Sequence, residues 1–284
     1  MTTWLRILFL FGLAAVLTGC GVRSAYNNLD WLAMRWLNQQ ISLNAEQELM
    51  ARDAIDRKLA WHCESELPAY IEFIERVDSD VASDNISVAR LEAYGEEVAG
   101  FGRRLLDRAR PSVIELLTSL SDEQVAEIAV GINERNEELI AEAQATPEER
   151  RERRVESMER GMRRFLGRLS SAQRARLEQW AGELQPTLEF DRARREARDQ
   201  RFIEALEVRH DEAAFVQRME VLFEPESSDT DEVYERRSAH NRARTLEALV
   251  DIHRLADRRQ IDRLRDRLDD LADDFRKLSC QAQS

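Results

Sequence analysis

The chain has 284 residues, with 55 acidic against 42 basic side chains for a formal net charge of −13, and it is 43% hydrophobic. That acid excess argues against general nucleic-acid binding, and the apolar content excludes a disordered chain while allowing one large domain or two small ones. Few Gly (10), few Pro (5) and only 7% aromatics, beside abundant Ala, Leu, Glu and Arg, describe an all-α protein.

The chain opens with one basic residue, Arg6, then an apolar run from Ile7 to Val16, then Leu17-Thr18-Gly19-Cys20. This is the three-part layout of a secretory signal, and the run is well short of the roughly 20 residues that a spanning helix needs. Leu17, Thr18, Gly19 and Cys20 resemble the lipobox of bacterial lipoproteins. That resemblance implies removal of residues 1–19 and a covalent diacylglycerol plus an N-acyl chain, of the palmitate class, on Cys20, with no other cofactor. Two or more acyl chains hold a protein stably on a bilayer where one does so only marginally. In such lipoproteins an Asp after the cysteine favours the inner membrane, so Gly21 points to the inner leaflet of a Gram-negative outer membrane, facing the periplasm. An ordinary cleaved signal with a chance cysteine is the alternative.

Residues 20–42 form the anchored segment with a first helix, and 43–284 a single all-helical periplasmic domain; the whole is expected to be a bundle of about eight to ten amphipathic helices. Tyr26-Asn27-Asn28-Leu29-Asp30-Trp31 and Trp36 follow the lipidation site closely. Aromatics placed so either sit at a membrane interface or dock the first helix on the core, the second being the commoner arrangement. A lipidated cysteine, Tyr-Asn-x-Leu-Asp-Trp and a second Trp together resemble a family of proteobacterial lipoproteins defined only as a domain of unknown function. The resemblance implies location and fold, and brings no catalytic residue.

Three helix starts share one order: Leu43-Asn44-Ala45-Glu46-Gln47, Leu120-Ser121-Asp122-Glu123-Gln124 and Leu169-Ser170-Ser171-Ala172-Gln173. Each predicts a capping box, in which Asn44, Ser121 or Ser170 accepts from a first-turn amide and the Gln three residues on reaches back. The unequal spacing excludes a solenoid. The order also resembles the Leu-Thr-x-x-Gln motif of Spy/CpxP-type periplasmic chaperones, with Asn or Ser in place of Thr; ordinary capping accounts for the spacing equally.

One-sided apolar stripes follow each start: Ile55, Leu59, His62 and Cys63; Val125, Ile128, Ala129 and Ile132; Leu177, Trp180, Ala181 and Leu184. Pro68 opens a helix through Tyr70 and Ile74, and a turn at Asp84 to Ser87 leads to another, whose Gly95, Gly100 and Gly102 invite close approach of a neighbour. Arg110-Pro111 predicts a break. Thr146-Pro147-Glu148-Glu149 is a strong start signal, and the helix after it carries Arg150, Arg151, Arg153, Arg154, Arg160, Arg163 and Arg164. That face is a candidate interaction surface for headgroups or an acidic protein, or a match for the acidic stretch Glu46 to Glu97, or a solvated face. Pro186 begins a long helical run interrupted near His210, residues 224–231 are the clearest loop, and Ile261, Leu264, Leu268, Leu271, Phe275 and Leu278 form a seam within the bundle.

Cys63 and Cys280 are the two cysteines left after Cys20. In an oxidising compartment such a pair is expected to be bridged, tying the last helix to an early one. The four histidines, His62, His210, His240 and His253, form no H-E-x-x-H, and there is no nucleophile elbow, phosphate loop or dinucleotide fingerprint; no metal site and no catalytic residue is predicted. The expectation is a non-enzymatic binding or chaperone-like envelope lipoprotein, held to the membrane by its anchor, with an envelope protein or unfolded client as partner, no nucleic acid, and an oligomeric state left open. The alternative is an envelope enzyme acting on lipid or cell-wall material, with acids and histidines gathered across helices.

Overall fold

A computed structural model of the chain describes residues 21–142 (backbone alone for 137–142), 145–223 and 232–280. The lipobox and the loop expected at 224–231 lie outside the described residues. The fold is all-α, with no strand among the described residues. The elements are α1 (Gly21–Tyr26), α2 (Leu29–Gln40), α3 (Ala45–Trp61), a π-helix (His62–Glu66), α4 (Leu67–Ala82), α5 (Val88–Thr118), α6 (Asp122–Glu142), α7 (Pro147–Leu166), α8 (Ser171–Glu183), α9 (Leu188–Glu207), α10 (Glu212–Phe223), α11 (Glu232–Arg254) and α12 (Arg258–Leu278).

The amphipathic stripes meet in three apolar clusters. One gathers Val22, Leu67, Tyr70, Ile74, Phe101, Leu271 and Phe275 from α1, α4, α5 and α12, and α4 against α12 is the most extensive helix pair. The predicted seam of α12 therefore packs inside the bundle. A second cluster joins Val155 of α7, Leu177 and Trp180 of α8, and Ile252 of α11. A third centres on Leu206, Phe215 and Met219 of α9 and α10, against Ile114 and Leu117 of α5 and Val125 of α6.

Pro68 stands in the first turn of α4, as expected, although α3, the π-helix and α4 run on without a break, with right-handed helical backbone at His62 and Leu67. A proline ring clashes with the carbonyl four residues back and donates no hydrogen bond; one wide turn, closed by Leu67 N–H to the His62 carbonyl five residues back, accommodates it. Pro111, contrary to expectation, does not end α5, which continues to Thr118. Tertiary packing overrides the local signal, since Lys58 Nζ donates to Ser112 Oγ at 2.9 Å and the Arg110 guanidinium lies over the Phe223 ring at 5.0 Å. Close approach is not what Gly95 and Gly100 provide. A Cβ at Gly95 would meet nothing within 4 Å, and one at Gly100 only arginine tips at 3.8 and 3.9 Å. Gly167 is the glycine with a conformational role: it ends α7 at φ +73°, where a Cβ would also press on the Arg263 side chain at 3.3 Å.

The three predicted Gln capping boxes form, and a fourth box with Gln appears at Asp257-x-x-Gln260. The four glutamines meet in two pairs. Gln47 and Gln124 exchange amide hydrogen bonds of 3.0 and 2.7 Å, and Gln173 and Gln260 do so at 3.0 Å each. Every remaining valence is also used. Gln47 donates to the Ser119 carbonyl at 2.9 Å and Gln124 to that of Ser42 at 2.6 Å; Gln173 donates to Ile252 at 3.2 Å and Gln260 to Arg168 at 3.0 Å. Each Oε1 meanwhile accepts from its own N-cap amide. Two helix junctions 77 residues apart, and two more 87 apart, are thereby clasped head to head.

The clasp explains the choice of residue. A capping box works with Glu or Gln, and the exposed box at Thr146, which pairs with no other, has Glu149. At the buried, paired positions a carboxylate lacks both donors and faces a second acceptor. Gln173, fully buried, is the sharpest case. Gln173→Glu is expected to lower stability by about 2–4 kcal/mol, whereas Glu149→Gln has a much smaller effect; urea unfolding of the two variants checks the contrast.

Candidate functional site

The end of the molecule that receives the N-terminal segment holds a polar cluster built on Arg23, Tyr26, His62, Glu66, Arg104 and Asp274. α1 begins at Gly21, directly after the predicted lipidation position, and Val22 enters the first apolar cluster, 4% exposed. Arg23 pairs with buried Asp274 at 3.2 Å. Tyr26 Oη lies 3.0 Å from His62 Nδ1, with the rings 5.6 Å apart. No spacer separates Gly21 from the body.

Behind Tyr26, the His62 ring meets Tyr70 edge-on at 5.4 Å, and Tyr70 stacks at a tilt on Phe101 at 4.7 Å. Glu66 is 3% exposed and receives both Arg104 Nε and Nη2 at 2.8 Å. That bidentate grip occupies both carboxylate oxygens, which makes Glu66 a fixed counter-ion. Burial pushes His62 below the usual imidazole range, opposed by the nearby Glu66 charge, and burial pushes Tyr26 up to about 12. Burial, then the Glu66 charge, raises Tyr70, whose hydroxyl has no hydrogen-bond partner among the described residues. Burial favours the neutral imidazole at His62, and the cluster works as a clasp on α1. Beside it Cys63 and Cys280 are disulfide-bonded, 217 residues apart with Cα atoms at 5.3 Å. The predicted bridge ties the π-helix to the end of α12.

The other histidines lie elsewhere. His240 Nε2 is 3.0 Å from the Glu183 carbonyl, His253 Nε2 is 3.1 Å from Asp84 Oδ1, and His210 sits in the turn between α9 and α10. No three His, Cys, Asp or Glu side chains converge as metal ligands among the described residues. A groove of about 680 Å³ runs between the end of α2 and α6. Its walls carry Ile41, Ile128 and Val130 with Glu123, Glu127 and Glu134, and no histidine. Ser42 N–H, donating to Glu127 Oε2 at 2.8 Å, bridges the two sides.

The arginine face of α7 is partly engaged within the molecule. Arg150 caps back onto the Ala145 carbonyl, Arg151 donates to the Glu178 carbonyl at 2.9 Å over Gly182, and Arg163 pairs with buried Glu159 at 2.7 Å. Arg160 approaches Glu156 at 3.6 Å, Arg154 is half-buried, and Arg153 and Arg164 are exposed. The acidic early stretch finds cations on α12, on α5 and within itself: Arg265 grips Asp78 at 2.9 and 3.0 Å, Arg276 pairs with Glu75, Arg104 holds Glu66, and Arg76 pairs with Glu97.

A family model matches residues 39–234, which span the three predicted Gln capping boxes, all of the groove lining but Asn38, and α7. The chain belongs to DUF6279, a family of unknown function. The matched DUF6279 stretch starts after the Tyr26 to Trp36 segment on which the lipoprotein resemblance rests, and ends before Gln260 and Cys280. No curated protein and no solved structure matches this DUF6279 chain.

Two outcomes follow from the clasp. Because His62 is depressed in the fold, the unfolded chain binds the extra proton first as pH falls through about 6.5, so stability is full above that pH and declines below it. The slope is at most about 1.4 kcal/mol per pH unit, and His62→Gln flattens it in unfolding curves between about pH 7 and 5. Opening the 217-residue loop by Cys280→Ser is expected to cost up to about 5 kcal/mol, read as a fall in denaturation midpoint matched by reducing the wild type.

Proposed function

We propose that this protein is a lipid-anchored envelope lipoprotein, held by Cys20 at the periplasmic face of the outer membrane, whose helical body binds another envelope protein or an unfolded client rather than carrying out a reaction. The observation that carries the reading is the junction at α1: the residue after the predicted lipidation site already begins a helix, and Val22, Arg23 and Tyr26 lock that helix to α12 and the π-helix. An anchor attached so rigidly holds the body against the bilayer surface. The groove between α2 and α6 is the binding place. Its lining, Ile41, Ile128 and Val130 with three glutamates against Arg135, suits an amphipathic segment with basic flanks. The chaperone-like side of the reading rests on the Leu-x-x-x-Gln helix starts and on this groove.

Mass analysis of the N-terminal peptide from host membranes is expected to show acyl groups on Cys20 and to lose them in Cys20→Ala. Crosslinking in the native host is expected to recover an envelope partner, and Val130→Arg, at a groove position 55% exposed, reduces it several-fold without unfolding the protein. An unacylated Cys20 contradicts the anchor. No partner above background, together with no effect on aggregation of an unfolded protein, contradicts the binding role.

A further inference from the structure

α2 has two apolar faces, and one of them is uncovered. Met34, 3% exposed, and the half-buried Ala33 and Leu37 turn toward the body. On the opposite arc, at helical spacing, lie Leu29, Leu32 and Trp36; Arg35 flanks that arc, and Trp31 lies beyond Arg35, about 100° around the helix from Leu32. Trp31 is 55% and Trp36 59% exposed, and Leu29 and Leu32 are 38% and 39% exposed. The Arg35 guanidinium sits over the Trp31 ring at 5.4 Å. The commoner arrangement for such aromatics, docking the helix on the core, is therefore filled by Met34 instead.

What covers this arc follows from where it sits in the chain. Leu29 comes nine positions after Cys20, and six of the intervening residues form α1, which is about 9 Å long at 1.5 Å per residue. With α1 clamped to the body, acyl chains on Cys20 bring the bilayer surface within reach of α2. Charge agrees: residues 21–40 hold Arg23 and Arg35 against Asp30 alone, in a chain whose net charge is −13, so this segment escapes the acid excess that anionic headgroups repel. Indole rings with a flanking arginine are the side chains that partition to the headgroup level.

We infer that the uncovered side of α2, with Leu29, Leu32 and Trp36 on one arc and Trp31 at its edge, is a membrane-contacting surface, which lies in the headgroup region of the bilayer that holds Cys20 and fixes the orientation of the body on it. The inference rests on lipidation at Cys20. It makes the anchor a two-point attachment, acyl chains and an interfacial helix, so the body cannot swivel about a single tether and the groove beside the end of α2 keeps a set direction.

The test uses lipidated protein from host membranes, reconstituted into vesicles of phosphatidylethanolamine and phosphatidylglycerol containing brominated acyl chains. Mass analysis of the N-terminal peptide is done on the same preparation. Tryptophan fluorescence is expected to be quenched in the wild type and the quenching to fall several-fold in Trp31→Phe/Trp36→Phe, leaving Trp61 and Trp180 as unquenched reporters. Because both substituted rings are exposed, circular dichroism should show the variant folded. A confirmed acyl group with no quenching, or quenching unchanged in the variant, overturns the inference and leaves the anchor standing. A Trp-dependent dimer without quenching assigns the face to a second copy and also overturns it. Absence of acyl groups on Cys20 removes the anchor and this inference with it.

Discussion

A buried primary amide has two donors and one oxygen with two lone pairs, and unmet valences inside a protein cost about 1–3 kcal/mol each. Gln47, Gln124, Gln173 and Gln260 each meet all four, two with the paired glutamine, one with their own N-cap amide and one with a backbone carbonyl of the helix corner opposite. Satisfaction depends on both partners being in register, because either amide alone would leave its neighbour's donor and acceptor open. Each pair therefore couples the ends of four helices more tightly than the apolar contacts around it, which tolerate small shifts.

The rest of the body hangs on these two points. The first clasp joins the α2–α3 corner to the α5–α6 corner, and buried Arg209 extends it by donating to the Leu120 carbonyl at 2.8 Å, bringing in the turn between α9 and α10. The groove between α2 and α6 is the outer side of this same corner. The second clasp joins the α7–α8 corner to the α11–α12 corner, with Trp180 Nε1 donating to Thr245 Oγ1 at 3.0 Å nearby. α12 then carries the effect to the end that receives the N-terminal segment, where Asp274, Phe275 and Cys280 receive α1 and the π-helix.

Local chemistry was readable in the sequence and partnership was not. Asn44, Ser121 and Ser170 announced their caps because capping is settled within four residues. Nothing within four residues tells Gln47 that its partner is Gln124. Asp257 has the same spacing to Gln260 but Ala256, not Leu, before it, so it lacks the full pattern of the other three starts. The one available clue to pairing was the contrast between Gln at these starts and Glu149 at the exposed one. The disulfide was legible from cysteine count, whereas the wide turn that accommodates Pro68 beside Cys63, and the continuity of α5 through Pro111, depend on packing partners far away in sequence. For the same reason the arginine run on α7 gave no sign that Glu159 and the Glu178 carbonyl would engage part of it, and Trp31 and Trp36 gave none that Met34 would take the inward position.

A double-mutant cycle on the first clasp measures its coupling most directly: urea unfolding of wild type, Gln47→Ala, Gln124→Ala and the double variant. A cooperative pair predicts that the second substitution costs far less once the first is made, with a coupling energy of about 1–3 kcal/mol. Costs that add to within about 0.5 kcal/mol would show two independent caps that happen to touch, and would contradict the account.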